Sequence, residues 1–282
     1  MRWSRTFSAL AVVCVTVGCA PPGPRKAKEL PSDFRHTLPS ATGLTASLSY
    51  LQAGEARGTR LILVHGTPGS AQGWADYVLN PPSGMEVVAL DRPGFGQSGP
   101  EHAVTRLAEQ AAAVVALFPP DCRPAVLIGH SLGGAVVAQV AAEYPERVAA
   151  VVLLASSLDP AQEKIHPLQP LGATWPLRLL LPRALANANA ELIAFKAELE
   201  ALKPLLRRVT SPVVIVHGTQ DDLVPFANVA YMQAELVNAR CHKLMVLEGQ
   251  NHFLPWNAEA TVREAIAWAA STVTVPCDRA HP

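Results

Sequence analysis

Ala125-Val126-Leu127-Ile128-Gly129-His130-Ser131-Leu132-Gly133-Gly134-Ala135-Val136-Val137 is the stretch that decides how this chain is built. Its first four residues are apolar without alternation, the mark of a strand covered on both faces. An Ala/Val-rich stretch over about 132–144 then reads as a helix. Gly-x-Ser-x-Gly joins the two in a turn so sharp that Gly129 and Gly133 have no room for side chains. The Ser131 hydroxyl is pushed out at the carboxyl edge of the sheet. The Leu132 N–H lies at the helix N-terminus, where developing negative charge is stabilised. A serine that only caps a helix would fit the same residues, so the partners have to decide.

Five more apolar runs surround this one: Leu61–Val64, Val87–Leu90, Val151–Leu154, Val213–Val216 and Leu244–Leu247. Helical stretches separate them at about 70–79, 103–118, 226–237 and 258–271. Strand and helix in alternation predict a doubly wound, mostly parallel α/β sheet. Residues 34–52 alternate loosely and read as an antiparallel hairpin at its edge. The segment from about 158 to 211 is far longer than one crossover helix needs. It has helical spacing (Leu192, Phe195, Leu199, Leu202) and is punctuated by Pro167, Pro170, Pro176, Pro182 and Pro204. It reads as a helical lid. Leu168, Leu171, Trp175, Leu177 and Leu180 suit either an apolar substrate group or packing of the lid onto the domain.

A serine hydroxyl needs a base within reach. His252 follows the last run, so its loop leaves the sheet at the same edge as Ser131. His65, His130 and His217 suit structural roles better. A base in turn needs a carboxylate to fix its tautomer. Gly218-Thr219-Gln220-Asp221-Asp222-Leu223-Val224-Pro225 follows the Val213–Val216 run and offers two. The two compete, and Asp222 also suits a solvated neighbour or a helix cap.

The order Ser131, Asp221, His252, each just past a strand, resembles the α/β-hydrolase fold family. The resemblance implies Asp221 as the acid, because it is the fourth residue of a G-x-x-D-x-x-V-P pattern where that fold places it. Two further segments strengthen the likeness over residues 40 to 272. His65-Gly66-Thr67-Pro68-Gly69 looks like the family's HGxPG loop, which implies the Thr67 N–H as second oxyanion donor beside that of Leu132. Asp91-Arg92-Pro93-Gly94-Phe95-Gly96-Gln97-Ser98 resembles its D-R-x-G-x-G-x-S turn and implies a shaping role, with neither Asp91 nor Ser98 catalytic. Serine in place of aspartate as nucleophile argues against haloalkane dehalogenases and most epoxide hydrolases of this fold. Thr67 and Leu132 depart from the proline iminopeptidases. The resemblance implies a serine hydrolase acting on small or apolar carboxylic esters, with no cofactor. C–C bond hydrolases, lyases and perhydrolases share the triad, and a lipid-anchored binding protein on the same scaffold is a further alternative.

The remaining sequence speaks to location. Of 282 residues, 49% are hydrophobic and 16% charged, enough apolar content for one domain over 34–282. Lys+Arg and Asp+Glu both total 23, without a basic stripe, which argues against nucleic acid as partner. Residues 1–18 combine a positive start with an apolar run too short to span a bilayer, and read as a signal peptide. The run ends in Val17-Gly18-Cys19-Ala20 and a Pro-rich linker over 19–33. This resembles a bacterial lipoprotein signal, with Thr16 where leucine is usual, and implies lipidation and membrane attachment at Cys19. An ordinary cleaved signal and an uncleaved tail are the alternatives; either signal places the protein outside the cytoplasm, in the periplasm or on the outer membrane. Three cysteines lie beyond it. Cys241–Cys277 is the pairing favoured, Cys122–Cys277 the next, and three unpaired thiols the alternative. No CxxC or HxxxH spacing suggests a metal.

Overall fold

The computed structural model describes residues 30–40, 46–165, 169–174 and 177–272. The signal peptide, Cys19, Cys277, Leu168 and Trp175 lie outside them. The strands are β1 (Arg35–Leu38), β2 (Leu48–Gly54), β3 (Thr59–Val64), β4 (Met85–Leu90), β5 (Ala125–His130), β6 (Val148–Leu154), β7 (Val213–Gly218) and β8 (His242–Leu247). They form one eight-stranded sheet in the order β1-β2-β4-β3-β5-β6-β7-β8. The β1–β2 and β2–β4 pairings are antiparallel and every other one is parallel.

Successive residues of a strand face opposite ways, so a run without alternation feeds two cores at once. Ile62, Val64, Leu127, Leu153 and Ile215 pack beneath α2 (Leu107–Val115), α3 (Leu132–Glu143) and α7 (Ala227–Glu235). Leu61, Leu63, Val126, Ile128 and Val216 pack on the other side against α1 (Ala75–Leu79) and α9 (Glu259–Ser271). α8 (Leu254–Asn257) is a single turn before α9.

β8 departs from the reading of its sequence. Its residues alternate exposed and half-buried, and Leu244 and Val246 are each 39% exposed. The strand is the sheet's last, and one of its faces stays in water. Apolar residues alone could not reveal an edge.

Between β6 and β7 the chain forms α4 (Gln169–Gly172), α5 (Leu177–Leu180) and the 24-residue α6 (Arg183–Leu206). Phe195, Leu199 and Leu202 are buried along one stripe of α6, and the helix accommodates Pro204 in its last turn. Its amino-terminal half is fastened to the turn after β4. Asn187 Nδ2 donates to Gly94 O at 2.8 Å, and Arg183 donates to Pro100 O at 2.9 Å. Glu198 accepts the Leu107 N–H at 2.8 Å and so caps α2. Of the apolar residues expected to line a lid, Leu180 is 78% exposed. Cys122 and Cys241 carry free thiols among the described residues.

The two kinds of strand position differ in energy. Ile128→Ala removes a fully buried side chain and should lower stability by about 2–5 kcal/mol. Leu244→Ala on the open edge should cost under about 1 kcal/mol. Urea unfolding of both variants measures the difference, and equal losses would contradict the two-core arrangement.

Candidate active site

The turn between β5 and α3 holds Ser131 at φ 56°, ψ −127°, a region that side-chain-bearing residues rarely occupy. Such a conformation costs about 1–3 kcal/mol and persists only where the surroundings fix it. Here the Ser131 N–H donates to Leu154 O at 3.0 Å, extending the β5–β6 ladder past its end, and Ser131 O accepts the Gly134 N–H at 2.9 Å. The crossing is tight: a Cβ on Gly129 would lie 2.4 Å from Gly133 O, and one on Gly133 would lie 2.4 Å from Val64 O.

Sheet register delivers the next component. β3 and β5 are parallel neighbours with Val64 opposite Gly129, so two residues further on Gly66 stands beside Ser131. A Cβ at Gly66 would meet Ser131 Cβ at 2.8 Å. The chain leaves β3 toward β4 on one side while β5 lies on the other. The crevice outside such a switch point is where open α/β sheets bind ligands. Beside Ser131, the N–H groups of Thr67 and Leu132 have no acceptor among the described residues, and the Thr67 hydroxyl is buried without a partner.

Asp221 and His252 come from the loops after β7 and β8. His252 Nδ1 and Asp221 Oδ2 are 2.8 Å apart, and both residues are buried. The other carboxylate oxygen, Oδ1, accepts the N–H groups of Leu223 at 3.0 Å and Val224 at 2.7 Å. Two amides and an imidazole therefore fix the carboxylate on both oxygens, while Asp222 is exposed. An ionised aspartate in this position takes its hydrogen bond from Nδ1–H and leaves Nε2 with its lone pair.

His130 brings that imidazole to the elbow. Its Nε2–H donates to His252 O at 2.9 Å, and the two rings stand 4.7 Å apart. Burial, with His252 beside it, pushes the His130 imidazole down to about 3, so it is neutral. Trp256 packs edge-on against His130 at 5.5 Å and donates from its indole to Gly73 O at 2.8 Å. No hydrogen bond joins Ser131 to His252 among the described residues. Looser geometry of this kind is ordinary before substrate binds.

A family model described as alpha/beta hydrolase fold matches residues 59–203. A non-heme chloroperoxidase of Streptomyces lividans is 32% identical over 237 residues, covering 68% of this chain and 84% of that one. The chain belongs to the alpha/beta hydrolase fold family. A pimeloyl-[acyl-carrier protein] methyl ester esterase of Klebsiella pneumoniae is 41% identical over 97 residues, 34% of this chain and 36% of that one. Among solved structures, a monoacylglycerol lipase of Paleococcus ferrophilus superposes with a TM-score of 0.65 at 20% identity. It covers 80% of this chain and 99% of that one.

This alpha/beta hydrolase buries two further histidines around the site. His65 donates from Nδ1 to Gly66 O at 2.7 Å, while its Nε2 accepts the Arg92 N–H at 3.1 Å. Burial first, and the Arg92 charge second, hold it well below the usual histidine range. His217 donates from Nε2 to Val224 O at 3.0 Å, 3.6 Å from Asp221 Oδ2. Burial lowers it too. The roles of His130 and Trp256 in seating His252 had no sequence signal beyond their nearness to Ser131 and His252.

The histidines set a pH dependence. Their folded values lie below the unfolded value of about 6.5, so in mildly acidic solution the unfolded chain binds protons that the fold refuses. Stability is complete above about pH 6.5 and declines as pH falls toward the folded values, by up to about 1.4 kcal/mol per pH unit for each histidine. Urea midpoints should fall between pH 7 and pH 5, and His130→Asn should flatten the decline. An unchanged slope in that variant would contradict a neutral His130.

Proposed function

We propose that this hydrolase cleaves carboxylic esters through an acyl-enzyme on Ser131. The observation that carries the reading is the buried Asp221–His252 bond, seated against the elbow by His130. His252 Nε2 takes the Ser131 proton as the oxygen attacks the ester carbonyl. Asp221 stabilises the imidazolium that forms. The unpaired Thr67 and Leu132 amides receive the oxyanion, and such donors are typically worth 10²–10³ in rate. His252 then returns the proton to the leaving alcohol, and water frees the acid by the same steps in reverse. The partial likeness to a methyl ester esterase supports this class of substrate.

A second reading has its own support in the relative named a chloroperoxidase. Hydrogen peroxide attacking the same acyl-serine in place of water would release a peracid and regenerate the hydroxyl. Export is part of the proposal: the charged start, the apolar run and Gly18-Cys19 support a lipid-anchored or processed protein. Loss of fatty-acid labelling in Cys19→Ala would mark the anchor, and a wild type that never labels would remove it.

Wild-type protein should hydrolyse short p-nitrophenyl esters and react with a fluorophosphonate at Ser131. Ser131→Ala should lose labelling and at least about 10³-fold in turnover. A folded Ser131→Ala with undiminished turnover would end the reading. Asp221→Asn should cost about 10³–10⁴-fold in kcat, and Asp222→Asn should stay within about threefold as an exposed substitution. The opposite ranking would move the acid to residue 222.

A further inference from the structure

Arg92 is fully buried yet permanently charged, and the mechanism above does not use it. Its guanidinium is satisfied from two directions. Toward α6, Nη1 and Nη2 donate to Glu191 Oε1 and Oε2 at 2.7 and 3.1 Å, a bidentate pair whose carboxylate is 3% exposed. Gln110 Nε2 adds a bond to Glu191 Oε1 at 3.1 Å. Toward the loop after β3, Nε donates to His65 O at 2.9 Å and Nη2 to Gly66 O at 3.0 Å. The face of Phe95 lies 4.8 Å from the guanidinium carbon.

Gly66 C=O and Thr67 N–H belong to one planar trans peptide, so the N–H points opposite to the carbonyl. Two donors, Arg92 Nη2 and His65 Nδ1, hold that oxygen. Holding it aims the amide assigned to the oxyanion. A charge-assisted bond to the carbonyl also polarises the peptide and strengthens its N–H as a donor.

We propose that Arg92 and Glu191 are positioning residues for the oxyanion site. Through their buried ion pair, α6 of the inserted segment sets the orientation of the Gly66–Thr67 peptide. The proposal rests on the ester-hydrolase reading. In this arrangement α6 is a strut: it completes the catalytic geometry rather than only covering the site. Neither residue touches substrate.

The test begins with fluorophosphonate titration of wild-type protein and of each variant, so that kcat is counted per reactive Ser131. Glu191→Gln keeps the shape and removes the charge. The double variant Arg92→Met, Glu191→Leu replaces the pair by apolar groups, an exchange that is often neutral or stabilising in buried sites. Both should lose about ten- to a hundredfold in kcat, part of what deleting a donor costs, with KM within about twofold. A trifluoromethyl ketone, which forms a tetrahedral adduct with the serine, should bind more weakly by the factor lost in kcat/KM. The acid limb of the pH profile should stay put, because His252 is untouched. Arg92→Lys, which keeps a charge for Glu191 but lacks the planar fork, should fall between. Titrated kcat within twofold of wild type in the double variant would overturn the strut, however far Tm moves, and so would a change confined to KM. A wild type that never labels at Ser131 would instead overturn the ester reading.

Discussion

Much of this structure serves to keep one residue where it would not stay by itself. Ser131 sits at positive φ between a strand and a helix, and nothing in its own side chain favours that conformation. Neighbouring backbone enforces it: β6 takes its N–H, α3 takes its carbonyl, and β3 crosses so closely that only glycines fit. These contacts come from the centre of the sheet, where both faces are covered and strands cannot shift. The strain is thus supported by fully buried backbone, and the hydroxyl is turned toward the crevice by geometry alone.

From that fixed point the site is assembled by adjacency. The loop after β3 lies beside the serine because β3 pairs with β5. The loops after β7 and β8 are neighbours because those strands pair. One gap is not closed by neighbouring strands: β6 and β7 stand between β5 and the loop that carries His252. His130 bridges it by holding the backbone of residue 252 itself. Because that imidazole is buried and uncharged, the bridge adds no positive charge next to His252.

The sequence made the layered sheet readable because buried parallel strands must be apolar throughout, as Leu61–Val64 and Val213–Val216 are. It misled at β8, whose Leu244 and Val246 look like core but lie at a rim. Ser131, Asp221 and His252 were legible as candidates since each sits in a short local pattern. Asp221 was set apart from Asp222 by its place in the G-x-x-D-x-x-V-P pattern, whereas the two backbone amides that hold its Oδ1 are a feature of loop geometry. Contacts between distant residues were not legible. Arg92 and Glu191 are 99 positions apart, and His130 and His252 are 122 apart. In α6 the apolar stripe of Phe195, Leu199 and Leu202 was visible, whereas Glu191, one of three glutamates in the helix, carried no mark of its buried partner.

The enclosed guanidinium has a consequence for how the molecule is acquired. Without α6 the guanidinium would lose Glu191, its ion-pair partner, and would have to open to water or stay unpaired. The long helix is therefore tied to the loop after β3 through a buried charge as well as through packing. A shortened chain lacking the inserted segment should not survive as a smaller hydrolase, and neither should an ancestor-like core stripped of it.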